Sequence, residues 1–260
     1  MSIMHNLKAM IKRSPLYPFL RGLRNLKNNR AQAEAHTILH NENSLFYSLS
    51  PMGLIAIVKA FNLQRSIVRG GERNLLEGYG YYEFGLFKGF SLWFAEQVSR
   101  DYRGRDFCFY GFDSFEGLPK SQVDIDPVFW AEGNYAASLE FVTAKLKEHG
   151  TDLQRVKLYK GWFSKTLFDS LRQDERFLPV SICVIDSDLF ESCVEVLNFI
   201  KDLLVPGSIL LFDDYNAFNK DDSHGEIRAL LEFEQKNSSF RKEHLFDFGW
   251  HGVAFRVTAV

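Results

Sequence analysis

The sequence predicts an α/β protein whose mainly parallel sheet carries helices on both faces and one antiparallel strand near the C-terminus. Short apolar runs without polar alternation recur along the chain, which is typical of strands buried on both faces of a parallel sheet. Helical segments alternate with these runs, and glycine and proline mark the turns between them. The last two runs, near Glu243–Phe248 and Gly252–Val257, are close enough in sequence to pair as an antiparallel hairpin.

The clearest β–α–β unit spans residues 180 to 215. An apolar run, Val180–Ile185, ends at Asp186, and a second run, Ser208–Phe212, ends at Asp213 and Asp214. The segment between them has apolar residues at helical spacing and ends at a Pro-Gly pair. Both strands therefore point the same way, and the three carboxylates are expected at the carboxyl edge of the sheet, where ligands bind in open α/β folds.

Three neighbouring carboxylates repel one another, so at least one would have a raised pKa if nothing neutralised them. A divalent cation such as Mg²⁺ removes the repulsion, because it prefers oxygen ligands. We therefore predict a metal site at Asp186, Asp213 and Asp214. The simpler alternative is that Asp213 and Asp214 cap the next helix while Asp186 faces solvent.

Composition narrows the class of protein. The chain has 260 residues with a net charge of −2, which gives no global case for nucleic-acid binding. No apolar run is long enough to cross a membrane, and the N-terminus lacks the apolar core of a signal peptide. Cys108, Cys183 and Cys193 lack metal-ligand spacing. Cys108 and Cys183 lie in predicted strands and are interpreted as core residues of a protein in a reducing compartment. These features predict a cytoplasmic protein.

Residues 1–70 are predicted to form a helical extension that caps one side of a domain spanning 71–260. Basic residues alternate with leucines in the first thirty positions, and a helix is expected at Pro51–Phe61. A basic amphipathic helix can lie on an anionic membrane surface, such as the inner face of the cell membrane. It can equally dock on the protein with its charges solvated. Both interpretations stay open, as does a homo-oligomer.

The first strand of the sheet is predicted to end at Glu83–Phe84, before a turn with Gly85 and Gly89 and a helix from about Ser91. Glycines let the backbone approach a ligand closely, and a helix N-terminus offers free N–H groups to an anion. The spacing is G-x-x-x-G, which differs from the dinucleotide pattern G-x-G-x-x-G. The signal comes from its position directly after the first strand.

Two further strands end at candidate ligand groups. Asp113 follows the predicted strand Phe107–Phe112, where an acid can bind the two hydroxyls of a ribose or simply open a turn. Gly161 and Trp162 follow the strand Val156–Tyr159, where an aromatic side chain can border an adenine or belong to the core. Helices are expected at Ser138–His149 and at Ser223–Gln235, and the aperiodic segment 120–137 resembles an active-site lid.

Several motifs together resemble a known family. YEFGLFKGFSL is similar to the first cofactor motif of class I S-adenosylmethionine-dependent methyltransferases. FDSFEGLP, GNYAAS, KGWFSKTL, IDSDLFES and FDDY follow in the order found in the macrocin O-methyltransferase family. The resemblance covers about residues 81–215. It implies a Rossmann-like fold with a seven-stranded sheet, and a magnesium-dependent enzyme that uses S-adenosylmethionine to methylate a sugar hydroxyl of a natural product or surface polysaccharide.

The resemblance also implies roles for individual residues. Asp113 would bind the ribose with Ser114 beside it, and Asp188 would contact the amino group of the cofactor. Asp186 would be a Mg²⁺ ligand, with Asp213 and Asp214. Asp186 is also predicted as the general base on chemical grounds, because a carboxylate at hydrogen-bond distance can take the proton of the acceptor hydroxyl. The remaining cofactor contacts are implied for the methionine end, at Glu83, Gly85, Gly89 and Ser91, and for the adenine, at Gly161 and Trp162.

Two other functions fit part of the sequence. Asp186-Ser187-Asp188 is a D-x-D motif, which a metal-dependent nucleotide-sugar glycosyltransferase could use, although that function leaves Asp213 and Asp214 unexplained. A cofactor-binding scaffold without activity is the second alternative. His224 and His251 are alternative bases, because the pKa of histidine is close to neutral.

Overall fold

The computed structural model describes residues 51–69, 74–102, 107–120, 131–218 and 221–260. Seven strands form one sheet in the order β3-β2-β1-β4-β5-β7-β6. Its strands are β1 Gly80–Phe84, β2 Cys108–Asp113, β3 Val156–Lys160, β4 Val180–Ile185, β5 Ile209–Phe212, β6 Arg241–Phe248 and β7 Gly252–Ala259. The α-helices are α1 Pro51–Arg69, α2 Phe90–Ser99, α3 Leu139–Glu148, α4 Lys165–Asp174, α5 Phe190–Ile200 and α6 Gly225–Lys236.

Strand direction confirms the predicted mixed sheet. β1 pairs in parallel with β2 and β4, and the parallel ladder continues to β3 and β5. β7 is antiparallel to both β5 and β6, so it is the one reversed strand of the sheet. The ends of β1, β2, β4 and β5 therefore share one edge, which is where the predicted site residues follow their strands.

Helices cover both faces of the sheet, and each face has its own core. On one face, α4, α5 and α6 pack against the aromatic side chains of β1 and β2, with Phe84 and Phe112 stacked at 4.6 Å between ring centroids. On the other face, α1, α2 and α3 pack against the alternate residues of the same strands, including Tyr81 and Phe109. Every β1 residue is buried, so its lack of apolar–polar alternation follows directly from this two-sided packing. The one charged residue of the strand is Glu83.

Local capping explains two helix starts. The Ser138 side chain accepts a hydrogen bond from the Phe141 N–H at the start of α3. Ser164 does the same for the Leu167 N–H at the start of α4. The prediction for α3 was within a residue at each end, whereas α4 was not predicted. Only a few apolar residues of α4, such as Phe168, face the core, so its periodic signal is short.

The helix α1 is longer than predicted and belongs to the same body as the sheet. Phe61 is fully buried and stacks with Tyr81 of β1, at 6.4 Å between ring centroids. The buried Gln64 amide donates hydrogen bonds to the Ser181 and Gly207 carbonyls at 2.8 and 3.0 Å. The predicted division at residue 70 stays a prediction, and the basic segment before residue 51 lies outside the described residues.

Among the described residues, no helix combines the length and apolar character that a bilayer crossing requires. The three cysteines are free, and Cys183 and Cys193 are buried as core residues.

Candidate active site

A cavity of about 540 Å³ opens at the carboxyl edge of β1, β2, β4 and β5. Most of the predicted site residues contribute to it, which places them around one space. Lining residues among these predictions are Gly85, Ser91, Asp113, Ser114, Trp162, Asp186, Asp188, Asp213 and Asp214. Glu83, Gly89 and Gly161 are not part of the lining. A Cβ on Gly161 would lie 2.9 Å from the Leu167 side chain of α4, so this glycine lets β3 and α4 approach each other.

Gly85 brings the ends of β1 and β4 together. Its φ is +89°, and a Cβ added to it would lie 1.8 Å from the Asp186 carbonyl oxygen. The Asp186 N–H donates to the Phe84 carbonyl at 2.9 Å across the same junction. Gly85 thus allows the ends of β1 and β4 to lie close together, in addition to lining the cavity. A Cβ on Gly89 would instead lie 2.8 Å from the Val142 side chain, so that glycine serves helix packing.

Asp113 fastens the turn after β1 to the end of β2. Its Oδ2 accepts hydrogen bonds from the Leu86 and Phe87 N–H groups at 2.7 and 3.0 Å. Its Oδ1 accepts one from the Phe115 N–H at 2.6 Å. Burial raises the pKa of Asp113, and these backbone donors oppose that shift. The Ser114 hydroxyl is a fourth and longer donor, at 3.5 Å from Oδ1. A carboxylate has about four acceptor sites, so a donor from the cavity would compete with this longest contact.

Glu83 lies behind the cavity wall and binds two hydroxyl groups. The Tyr81 hydroxyl donates to it at 2.7 Å, and the Ser91 hydroxyl donates to its other oxygen. Burial raises the pKa of Glu83 from 4.5 to about 7, although both hydrogen bonds lower it. Within the described structure, Glu83 therefore holds Ser91, and Ser91 is the residue of the pair that faces the cavity.

We expect Glu83 to make stability fall as the pH rises. Glu83 binds its proton more tightly in the folded chain than in the unfolded chain. The free energy of unfolding therefore decreases as the pH rises from 4.5 to about 7. The shift corresponds to roughly 3 kcal/mol. Urea denaturation of Glu83→Gln across this range checks it, because glutamine carries no titrating proton. A pH dependence of the variant equal to that of the wild type would show that Glu83 does not titrate there.

An acidic cluster forms where β4 and β5 end. Ligand oxygens of Asp186, Asp188 and Asp214 all lie within 4.8 Å of one another. Asp188 enters this group from the turn after β4, where its φ of +57° is unusual for a residue with a side chain. The predicted set contained Asp213 in place of Asp188. Asp213 lines the same cavity, but a Cβ on Gly53 of α1 would lie 3.9 Å from its Oδ1, which places that oxygen beside α1.

The electrostatics of this cluster fit a bound cation. Burial raises the pKa of Asp186 well above its usual range, and the neighbouring Asp213, Asp188 and Asp214 raise it further. Burial, then Asp214, raises the pKa of Asp213 to about 6. Such a group must either hold protons or bind a positive ion. Three carboxylates that can share one ion form an oxygen donor set of the kind that Mg²⁺ prefers, so these residues fit the predicted metal.

Tyr135 was included in the predicted lid but not among the site residues. It lines the cavity, its φ is +59°, and its ring meets the ring of Phe87 edge-on at 5.7 Å. Burial raises the pKa of Tyr135, and the charges of Asp188 and Asp186 raise it further, so its hydroxyl lies near the acidic cluster. A left-handed backbone at residues such as Phe87, Tyr135 and Asp188 is the type of strain that gathers at functional sites.

Glu226 was not predicted at all. It is fully buried in the first turn of α6, and its Oε2 accepts a hydrogen bond from the Asp214 N–H at 3.1 Å. Burial raises its pKa well above the usual range, and the charges of Asp214, Asp213 and Asp188 add to this shift. In the sequence, the one available signal was an acidic residue at the start of a helix, which is too common to single out a site residue.

The predicted aromatic border and the two histidines have distinct positions. Trp162 lines the cavity and is 42% exposed, so its ring is accessible rather than part of the core. His224 contacts Ser223 at 2.8 Å and does not line the cavity. Burial raises the pKa of Asp214, and a hydrogen bond with Asp188 and the charge of His251 oppose this shift. His251 is therefore the histidine that interacts electrostatically with the acidic cluster.

Comparison with known proteins identifies related sequences. The Macrocin-O-methyltransferase (TylF) family matches residues 65–257. An 8-demethyl-8-(2,3-dimethoxy-alpha-L-rhamnosyl)-tetracenomycin-C 4'-O-methyltransferase from Streptomyces olivaceus is 29% identical over 139 residues, 51% of each chain. Mycinamicin III 3''-O-methyltransferase from Micromonospora griseorubida is 25% identical over 176 residues, 62% of this chain and 67% of that protein. The chain thus spans about half the length of the first relative.

Solved structures share the fold. The O-methyltransferase NovP superposes with a TM-score of 0.61 at 19% identity, over 78% of this chain and 79% of that one. CalS11, a calicheamicin methyltransferase, superposes with a TM-score of 0.57 at 18% identity, over 88% and 92% of the two chains. At these identities the likeness concerns the fold, which is the Rossmann-like fold of class I O-methyltransferases.

Proposed function

The chain belongs to the Macrocin-O-methyltransferase (TylF) family, and from this we propose that it transfers the methyl group of S-adenosylmethionine to a sugar hydroxyl with the help of Mg²⁺. The observation that carries the proposal is the position of the acidic cluster and of Asp113 around one cavity at the carboxyl edge of the sheet. The first relative is named for 4'-O-methylation of a rhamnosyl tetracenomycin, which supports a glycoside as acceptor.

The cofactor is proposed to occupy the side of the cavity formed by β1, β2 and the turn after β3. Asp113 would accept from the ribose hydroxyls with Ser114 beside it, and Trp162 would border the adenine. Ser91 would face the methionine end, held there by Glu83. Gly85 contributes backbone to the same wall. Asp188 belongs to the acidic cluster and also lines the cavity, so it would contact either the cofactor amino group or the metal.

The metal is proposed to bind Asp186 and Asp214, with Asp188 as the third ligand that the geometry favours and Asp213 as the one that the sequence resemblance implies. A bound dication would lower the pKa of the acceptor hydroxyl and stabilise its developing negative charge. The three described carboxylates of the cluster give this ion an oxygen environment, and neutralising them would also relieve their mutual repulsion.

Asp186 is proposed to take the proton of the acceptor hydroxyl. Burial and the neighbouring carboxylates raise the pKa of Asp186 when no cation is bound. An ionised carboxylate at hydrogen-bond distance from the acceptor hydroxyl can take its proton. The cavity walls hold the acceptor oxygen and the methyl group in line, and such positioning supplies much of the rate of a displacement reaction. Tyr135 lines the same cavity and interacts electrostatically with the acidic cluster, and it would limit the access of water to the reacting atoms.

We expect Asp113→Ala to weaken S-adenosylhomocysteine binding by about 1.5–3 kcal/mol, the usual cost of losing hydrogen bonds to a charged group. The substitution removes the proposed ribose contact and also releases the Leu86 and Phe87 backbone that Asp113 holds. Isothermal titration measures the affinity, with Asp101→Ala as an exposed control on a different segment. An unchanged affinity in Asp113→Ala would show that the ribose lies elsewhere.

Titration also separates the proposal from its two alternatives. A methyltransferase binds S-adenosylhomocysteine, whereas a glycosyltransferase that uses Asp186-Ser187-Asp188 binds a UDP- or GDP-sugar. Tight binding of a nucleotide sugar without binding of S-adenosylhomocysteine would overturn the proposal. A scaffold that lost activity would bind S-adenosylhomocysteine and a metal but transfer no methyl group to any acceptor.

A further inference from the structure

Glu226 connects the ends of the two strands that carry the acidic cluster. Its side chain is 0% exposed, and Oε2 accepts a hydrogen bond from the Asp214 N–H at 3.1 Å, directly after β5. The Ser187 N–H, in the turn after β4, also interacts with this carboxyl group. Moving either backbone group would displace the carboxylates on the adjoining residues, because Ser187 lies between Asp186 and Asp188.

We propose that Glu226 is a positioning residue that holds the acidic cluster in its cation-binding arrangement without being a ligand itself. The proposal rests on the metal site of the proposed function. Glu226 is not part of the group of ligand atoms within 4.8 Å of one another, nor of the cavity lining. Glu226 contacts the backbone of Ser187 and Asp214, and in this way it fixes the distance between the ends of β4 and β5.

A purely structural role leaves two features of Glu226 unexplained. A neutral side chain could accept the same backbone hydrogen bond without adding a further carboxyl group beside Asp188, Asp213 and Asp214. In addition, Oε1 is buried and has no hydrogen-bond partner within the described part of the chain. A buried acceptor of this type is costly unless water or an ion satisfies it. Both features are explained if a cation and the water that it retains belong to this site.

The test is a Mn²⁺ titration of the full chain, followed by electron paramagnetic resonance, with S-adenosylhomocysteine present at saturation. Mn²⁺ replaces Mg²⁺ as a spectroscopic probe with the same preference for oxygen ligands. We expect Glu226→Ala to weaken Mn²⁺ binding about 10–100-fold, as is usual for residues that orient metal ligands. Glu226→Gln keeps one acceptor but loses the charge, so we expect a loss of about 10-fold.

Glu96 provides a matched control. Glu96 lies on α2, outside the cavity lining, and is also 0% exposed. It forms ion pairs with Arg100 at 2.8 Å and with Arg155 at 3.2 Å. Glu96→Gln should lower the thermal stability and leave Mn²⁺ affinity unchanged. A loss of Mn²⁺ affinity in the Glu226 variants alone therefore reports positioning of the metal ligands rather than general loosening of the fold.

The outcomes separate the inference from the proposed function. If the wild type binds Mn²⁺ and both Glu226 variants bind it within about twofold of Glu96→Gln, a change far below the usual effect of such residues, the inference is wrong while the metal site stands. Should Glu226→Ala not fold, the Glu226→Gln comparison decides alone by the same criterion. If the wild type binds no Mn²⁺, the metal part of the proposed function fails and the inference fails with it.

Discussion

Asp186→Asn is expected to lower kcat by about 10²–10⁴-fold, even at saturating Mg²⁺, because that is the usual contribution of a general base. Asparagine keeps the shape of the side chain and one carbonyl oxygen, so excess metal can compensate for a weakened ligand. It cannot accept the proton of the acceptor hydroxyl. Steady-state rates measured over a series of Mg²⁺ concentrations give the result, with S-adenosylhomocysteine binding as a check on folding.

The neighbouring aspartates serve as controls for this experiment. Asp214→Asn should lose metal affinity but recover turnover at high Mg²⁺, since it is proposed only as a ligand. Asp213→Asn tests the two candidate ligand sets against each other, because a weakened Mg²⁺ affinity would support the set with Asp213. Recovery of Asp186→Asn at high Mg²⁺ would remove Asp186 as the base and make His251, which interacts electrostatically with Asp214, the leading alternative.

The second large effect is expected for Gly85→Ala. The added Cβ would lie 1.8 Å from the Asp186 carbonyl oxygen, which is backbone and cannot move away without separating β1 from β4. We expect a loss of about 3 kcal/mol or more in the free energy of unfolding, from overpacking together with the left-handed backbone. Any protein that still folds should bind S-adenosylhomocysteine and metal poorly, because the added Cβ would displace Asp186, which lines the cavity.

Gly78→Ala isolates the backbone part of this cost. Gly78 also has a positive φ, +71°, but no described atom lies within 4 Å of an added Cβ. It should therefore lose only about 1–2 kcal/mol, the cost of a left-handed conformation for a residue with a Cβ. Urea denaturation of both variants gives the comparison. Equal losses would mean that the close approach of Gly85 to Asp186 contributes nothing to stability.

The mainly parallel direction of the strands could be predicted because each central strand is buried on both faces, whereas their order in the sheet was not predicted. The run Val180–Ile185 was predicted with its observed bounds, and it stands between β1 and β5 in the sheet. Such runs lack apolar–polar alternation, and the one polar residue in this run, Ser181, is small and buried. Parallel pairing alone places the acids that follow the runs at one edge of the sheet. The helix α4 was missed because few of its residues face the core, so local periodicity was weak.

The side-chain detail of the cluster could not be predicted for a different reason. Asp213 and Asp214 are adjacent, and sequence does not say which of two neighbouring carboxylates faces Asp186. Asp188 joins the cluster because its backbone is left-handed, and the residue type alone does not predict that conformation. Glu226 reaches Asp214 from twelve residues further along the chain, and Tyr135 faces acids that follow two later strands. These contacts depend on packing between distant segments.

The most direct test of the central claim is methyl transfer from S-adenosylmethionine that carries a deuterated methyl group, with a panel of glycosides and mass-spectrometric detection. The account predicts that the labelled methyl appears on a sugar oxygen in the presence of Mg²⁺. It further predicts that EDTA stops the transfer while S-adenosylhomocysteine remains bound, because the metal is proposed to act on the acceptor rather than on the cofactor. Label on a nitrogen or carbon atom, or transfer that persists unchanged in EDTA, would contradict it.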